Sequence, residues 1–274
     1  MATIVLLDES GAPARRAPGL GLHLGQRTER VLYGSIFILA LFAVWEGVTL
    51  LGVEPPIVLP SPQGVVEAFS TLFSSPDVWA DFAASGQELL YGFALAMLVG
   101  ITAGLLIGWY PRLGYFFDPF LNFLYAVPRV AIGPLLIVWL GIGLSSKVAL
   151  VFLIAVFPVL VNTSSGIRSI DPNLVRVARC FGATDLKIFR TIALPASVPF
   201  ILGGLRLAIG QSLIGVFVAE LLGAQFGIGA LIENAGEQFQ TGMVFAGLLI
   251  FAASGMVLTA IVRGLERRFD AWRV

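Results

Sequence analysis

Six stretches of apolar residues, each about 20 residues long, divide this chain, and each can carry an α-helix across the hydrocarbon of a bilayer. They run over 31–51, 89–110, 119–140, 147–166, 196–222 and 243–262, with Gly and Pro inside several of them. A helix satisfies its own backbone groups, which lipid cannot do, so blocks of this length predict an all-α membrane protein with six transmembrane helices. Only 12% of the residues are charged, about half the share of a soluble domain, which argues against an ordinary water-soluble enzyme. The first stretch is too long for a removable signal peptide and lacks a small-residue cleavage site, so it counts as a span.

Seventeen Lys and Arg balance seventeen Asp and Glu, so net charge gives no reason to expect a nucleic-acid partner. Distribution is more informative, because cations near span ends stay on the cytoplasmic side. Arg15, Arg16, Arg27 and Arg30 precede the first span, Arg112 lies between the second and third, and Arg168, Arg176, Arg179, Lys187 and Arg190 lie between the fourth and fifth. Arg263, Arg267, Arg268 and Arg273 follow the sixth. The opposite loops hold Glu54, Glu67, Asp77, Asp81, Glu88, Glu233 and Glu237, with Lys147 their one cation. Both termini are therefore expected in the cytoplasm, with tails at 1–30 and 263–274 around a membrane domain at 31–262. One cysteine, Cys180, and one histidine, His23, exclude an intrachain disulfide and a Cys/His metal cluster, and no cofactor is expected on the chain.

Two polar connections carry local structure signals. Outside, Pro60-Ser-Pro62 precedes Val65, Val66, Ala68, Phe69, Leu72 and Phe73, whose spacing predicts a short amphipathic helix in the interface or capping the bundle. Inside, residues 168–195 form the longest cytoplasmic connection. Asp171-Pro172 predicts an N-cap followed by proline at the first helical position, Val175, Ala178 and Arg179 follow at helical spacing, and Gly182 suits the left-handed residue that ends a helix. A second helix is expected from Thr184 or Asp185 to Ala193, where Pro195 turns the chain into the fifth span. Such a helix–Gly–helix elbow is either a docking lever for a partner or an amphipathic turn whose cations lie on anionic headgroups.

Arg176-Val-Ala-Arg-Cys-Phe-Gly182, followed after nine residues by Ile192-Ala-Leu-Pro195, resembles the E-A-A-x-x-x-G-x(9)-I-x-L-P loop of binding-protein-dependent ABC transporter permeases, with Arg176 in place of Glu and Val177 in place of Ala. Further segments are similar, in order, to the nitrate/sulfonate/taurine branch of that family: Trp45-Glu46, Leu59-Pro-Ser-Pro62, Tyr91-Gly-Phe-Ala94, Trp139-Leu-Gly-Ile-Gly143, Ser146-Lys147, Asn162, Gly166-Ile-Arg168-Ser-Ile-Asp-Pro172, Gly204-Leu-Arg206-Leu-Ala208 and Ala219-Glu220-Leu-Leu-Gly-Ala224. The resemblance implies the type I ABC importer permease fold, with a cytoplasmic coupling helix, in a bacterial inner membrane. It implies a second copy of the permease, ABC ATPase subunits on the cytoplasmic face that bind ATP and Mg, and an extracytoplasmic solute-binding protein. The coupling surface would comprise Asp171, Pro172, Val175, Arg176, Val177, Ala178, Arg179, Gly182, Ala183, Leu194 and Pro195. The chain has no G-x-x-x-x-G-K-[ST] loop and is expected to hydrolyse no ATP itself.

Arg129 and Arg206 fall inside spans, where a charge is costly and faces protein or water. In a paired assembly their forked donors could lower the barrier for a small anion such as a sulfonate, taurine, nitrate or a carboxylate. Alternatively each ties a kinked helix to free carbonyls near Pro128 or Pro134, or pairs with a carboxylate on another span. Gln211 and Ser212 could line a polar path or bond to neighbouring helices, and the same two roles are open to Asn122, Tyr125 and Asn162. Gly100, Gly104 and Gly108 form a small-residue stripe that permits close helix approach. A stand-alone secondary transporter or channel for small anions is the alternative reading; it would need no ATPase and no docking elbow.

Overall fold

The structure, a computed structural model, describes residues 26–55 and 57–269. Arg15, Arg16 and most of the expected N-terminal tail lie outside the described residues, as does Arg273. The segment ending at Val53 is one unit and the segment from Glu54 is the other. The first contains α1 (Gln26–Leu50), which ends in a turn through Gly52 at φ +63°.

The second unit opens with α2 (Pro62–Ser74). Ser61 caps it by accepting from the Gly64 N–H at 3.1 Å, and Pro62 takes the first helical position. Its apolar side does not lie bare in the interface. Val65 and Leu72 are buried, and Leu72 packs in a cluster with Val78, Ile228, Ile232 and Ile250.

Three long helices make the centre of this unit: α3 (Val78–Trp109), α6 (Leu144–Arg168) and α9 (Leu194–Leu221). The glycine stripe decides how closely the first two approach. A Cβ added at Gly100, Gly104 or Gly108 would stand 2.8, 2.6 or 2.7 Å from the Cβ of Val159, Thr163 or Ile167 on α6. Packing in lipid gains little from apolar burial, so association of this kind depends on such backbone proximity. On the other side of α6, Gly204 of α9 meets the Pro158 carbonyl and Asn162 just as tightly.

The third expected span is not one rod. It is α4 (Pro111–Ala126), a 3-10 turn (Arg129–Ile132) and α5 (Gly133–Leu140), with the two halves bent by 84°. Val127 is extended because it precedes Pro128, and Pro134 restarts the helix, so the two prolines impose the break. Counting this pair as one span gives six among the described residues, and five otherwise.

Two further boundaries differ from expectation. α3 begins at Val78, so Asp81 and Glu88, expected in a loop, sit on helix. α11 (Thr241–Phe269) continues through residues expected as a C-terminal tail. The remaining elements are α7 (Pro172–Cys180) and α8 (Asp185–Ile188) in the cytoplasmic connection and α10 (Ile228–Glu237) in the last outer one.

Candidate functional site

The cytoplasmic connection forms an elbow through local capping alone. The Asp171 carboxylate accepts the Asn173 N–H at 2.8 Å and Pro172 occupies the first turn of α7. At the other end the Ala183 N–H reaches the Ala178 carbonyl at 3.0 Å and the Gly182 N–H reaches that of Arg179 at 2.9 Å, with Gly182 at φ +75°. These two bonds are the Schellman arrangement, and only a residue without a Cβ enters that conformation freely. Thr184 then caps α8.

Pro195 does not turn the chain. A π-helical turn over Phe189–Ala193 widens the helix, its Leu194 N–H reaching back to the Phe189 carbonyl, and Leu194 and Pro195 open the first turn of α9. The missing Pro195 N–H is absorbed there, so one helix of 37 residues runs from Asp185 to Leu221. At about 1.5 Å per residue it is about 55 Å long. Ile188 and Ala193 bury its root, and the Phe189 ring meets Trp109 edge-on at 5.2 Å.

The surface of the elbow is apolar and basic. Leu174, Val177, Phe181 and Leu186 are exposed, Phe181 by 87%, whereas Val175, Ala178 and Ala183 are half-buried toward the root. Arg176 donates to the Asn173 side-chain oxygen at 2.7 Å, and Arg179 pairs with Asp185 at 3.1 Å across the bend. Cys180, on the same helix, is exposed.

The candidate path residues do not converge on one site. Arg206 is paired with Glu266 of α11, which lies just past the end of the apolar stretch Thr241–Gly264 rather than within a span. The Ser212 hydroxyl is buried and donates to the Ala208 carbonyl of its own helix at 2.7 Å, and the half-buried Asn162 amide donates to the Pro158 carbonyl at 2.8 Å. Gln211 is half-buried, Asn122 is exposed, and the side chain of Tyr125 lies outside what the structure describes. Arg129 sits at the break of the bent pair, its guanidinium 5.1 Å from the Phe157 ring centre. There it stands among the apolar walls of a cavity of about 390 Å³ between α3, α4 and α6.

A second polar cluster, at the outer end, was not assembled by the sequence reading. Lys147 and Glu88 form an ion pair at 2.6 Å, with side chains only 14% and 2% exposed. Beside it, Glu220 at the end of α9 is fully buried and accepts from the Ser85 hydroxyl at 2.5 Å and from the Gly229 N–H at 2.6 Å. Ser85 also accepts the Ile228 N–H at 2.9 Å, and Asp81 accepts the Gly227 N–H at 2.9 Å. Three of the four open N–H groups at the start of α10 are thus satisfied by side chains of α3 and α9, two of them carboxyl groups at the positive end of the helix. The available signal was spacing. Asp81, Ser85 and Glu88 repeat at one helical face of an otherwise apolar segment, opposite a lone acid in another.

Comparison with known proteins adds three findings. The family described as binding-protein-dependent transport system inner membrane component matches residues 96–271. A Bacillus subtilis (strain 168) protein named as the aliphatic sulfonates transport permease SsuC is 36% identical over 261 residues, 95% of each chain, and the taurine transport system permease protein TauC of Escherichia coli (strain K12) is 32% identical over 237 residues, 85% of this chain and 86% of that one. A solved chain of the MetNI methionine ABC transporter, in an inward facing conformation, superposes with a TM-score of 0.55 at 17% identity, covering 69% of this chain and 98% of that chain.

Proposed function

The chain belongs to the binding-protein-dependent transport system inner membrane component family, and from that premise we propose that two copies of it form the path by which an ATP-driven importer admits a small sulfonate such as taurine. It is a multi-pass inner membrane protein with the type I ABC importer permease fold, and it serves as the permease subunit of an ABC importer rather than as an enzyme. ABC ATPase subunits, which hold ATP and Mg, grip the elbow from the cytoplasm, and a solute-binding protein delivers substrate outside.

The observation that carries this reading is the continuity of elbow and pore helix. A partner seated on Leu174, Val177, Phe181 and Leu186 holds the Gly182 bend, and Asp185 begins a helix that ends only at Leu221. Displacing the elbow therefore moves α9 along its length rather than bending a loop. Relatives named for sulfonates and taurine support the substrate class. Arg129 supports it too, because it sits at the proline break of the bent pair, and a guanidinium matches the oxygens of a sulfonate through its forked donors. Arg206 pairs with Glu266, and this reading does not use it for substrate.

Reconstitution tests the reading. Proteoliposomes holding the chain, the ATPase subunits and the binding protein should accumulate radiolabelled taurine or an alkanesulfonate only with ATP inside the vesicle compartment that contains the ATPase. Solute flux through the chain alone would overturn it in favour of a stand-alone transporter.

A further inference from the structure

α9 has two ends, and only the cytoplasmic one has a role in the reading above. Its outer end finishes in Glu220, a buried carboxylate that spends one oxygen on Ser85 of α3 and the other on the Gly229 N–H of α10. These two bonds tie the end of α9 to α3 and to the first turn of α10. The loop is shaped to the carboxylate. A Cβ at Gly227 would collide with it, and one at Gly229 would stand 2.7 Å from its Oε2. The N–H groups of Gly227, Ile228 and Gly229 all end on side chains of α3 and α9.

The shaft between the two ends packs closely on α6. Gly204 and Gly215 of α9 lie so close to α6 that a Cβ would stand 2.9 Å from the Pro158 carbonyl oxygen and 3.1 Å from the Val151 Cα. Motion imposed at Asp185 is not dissipated by sliding along such a face, because packed interfaces of this density are not continuously deformable. α10 in turn buries Ile228 and Ile232 with Leu72 of α2 and Ile250 of α11, while Asn234 and Glu237 are exposed.

We propose that Glu220 is the positioning residue through which α9, driven at its elbow, carries α10 at the extracytoplasmic end, so that the outer entrance moves in step with ATP binding inside. The inference rests on the importer reading given above. Without the Glu220 carboxylate, α9 turns beneath an α10 that no longer follows, and ATP is hydrolysed without delivery of substrate.

The test uses the complete reconstituted transporter and measures sulfonate uptake and ATP hydrolysis in the same vesicles. Glu220→Ala should lower uptake about tenfold, the size of an ordinary coupling loss, while hydrolysis per assembled complex continues at the unaltered protein's rate. Glu220→Gln, which keeps the shape and one acceptor, should fall between, and Ser85→Ala should lose less than Glu220→Ala. A merely structural cap would lower both readouts together, and that result, or unchanged uptake, overturns the proposal. Should Glu220→Ala fail to accumulate in the membrane, Glu220→Gln and Gly229→Ala decide the matter by the same ratio of hydrolysis to uptake. Failure of the unaltered complex to couple uptake to ATP would count against the importer reading instead.

Discussion

The two ends of the long cytoplasmic-to-outer helix are stabilised in opposite ways. At the elbow, every defining contact joins residues close in sequence: Asp171 to Asn173, Ala183 to Ala178, Arg179 to Asp185. At the outer cluster, Glu88 meets Lys147 and Ser85 meets Glu220 across 59 and 135 positions of chain. The elbow is also exposed, with no buried residue in α7, whereas Glu88 and Glu220 are fully enclosed. The exposed elbow is held by local bonds. The buried outer cluster is held by partners from distant segments, the Lys147–Glu88 ion pair and the bonds of Glu220 to the Ser85 hydroxyl and the Gly229 N–H.

The contrast predicts unequal costs. Lys147→Met should be the most damaging of three substitutions, since it strands Glu88 as an unpaired buried anion at about 3–5 kcal/mol, and the double change with Glu88→Leu should recover most of that loss. Thermal unfolding in detergent reads both, and a single variant as stable as the parent would break the comparison. Gly182→Val should come next, at about 1–2 kcal/mol for a β-branched residue held at positive φ. Its signature is functional: uptake should be lost with membrane abundance nearly intact, as assayed by immunoblot and transport together. Asp171→Ala, which removes one cap from an exposed helix, should cost about 1 kcal/mol. Its effect should appear as faster hydrogen exchange confined to α7, and exchange spread into α9 would mean that the elbow is not the local structure described.

The same contrast explains what could be read in advance. The N-cap at Asp171, the αL residue at Gly182 and the restart at Thr184 depend on neighbours only, so residue type and spacing suffice to find them. The course of Pro195 was misjudged because proline normally ends a helix. Here the π turn at Phe189–Ala193 accommodates it, and the bend lies at Gly182 instead. The 84° break is legible only as a kink: Pro128 and Pro134 mark it, but hydropathy runs on across them and does not show its size. Asp81 and Glu88 read as loop residues because unpaired acids do not belong on a membrane helix. Their partners, Gly227 and Lys147, arrive from other segments.

By itself the sequence determined the number of apolar segments, the side on which the cations stay, and the capped elbow, because each follows from solvent preference or from bonds within a few residues. Tertiary structure alone decided that Arg206 is paired to Glu266, that Ser212 turns back on its own helix, and that Glu220, Ser85 and Asp81 converge on the start of α10. The physical reason is that a buried polar group is defined by the partner that replaces water, and that partner is supplied by the packing of distant helices.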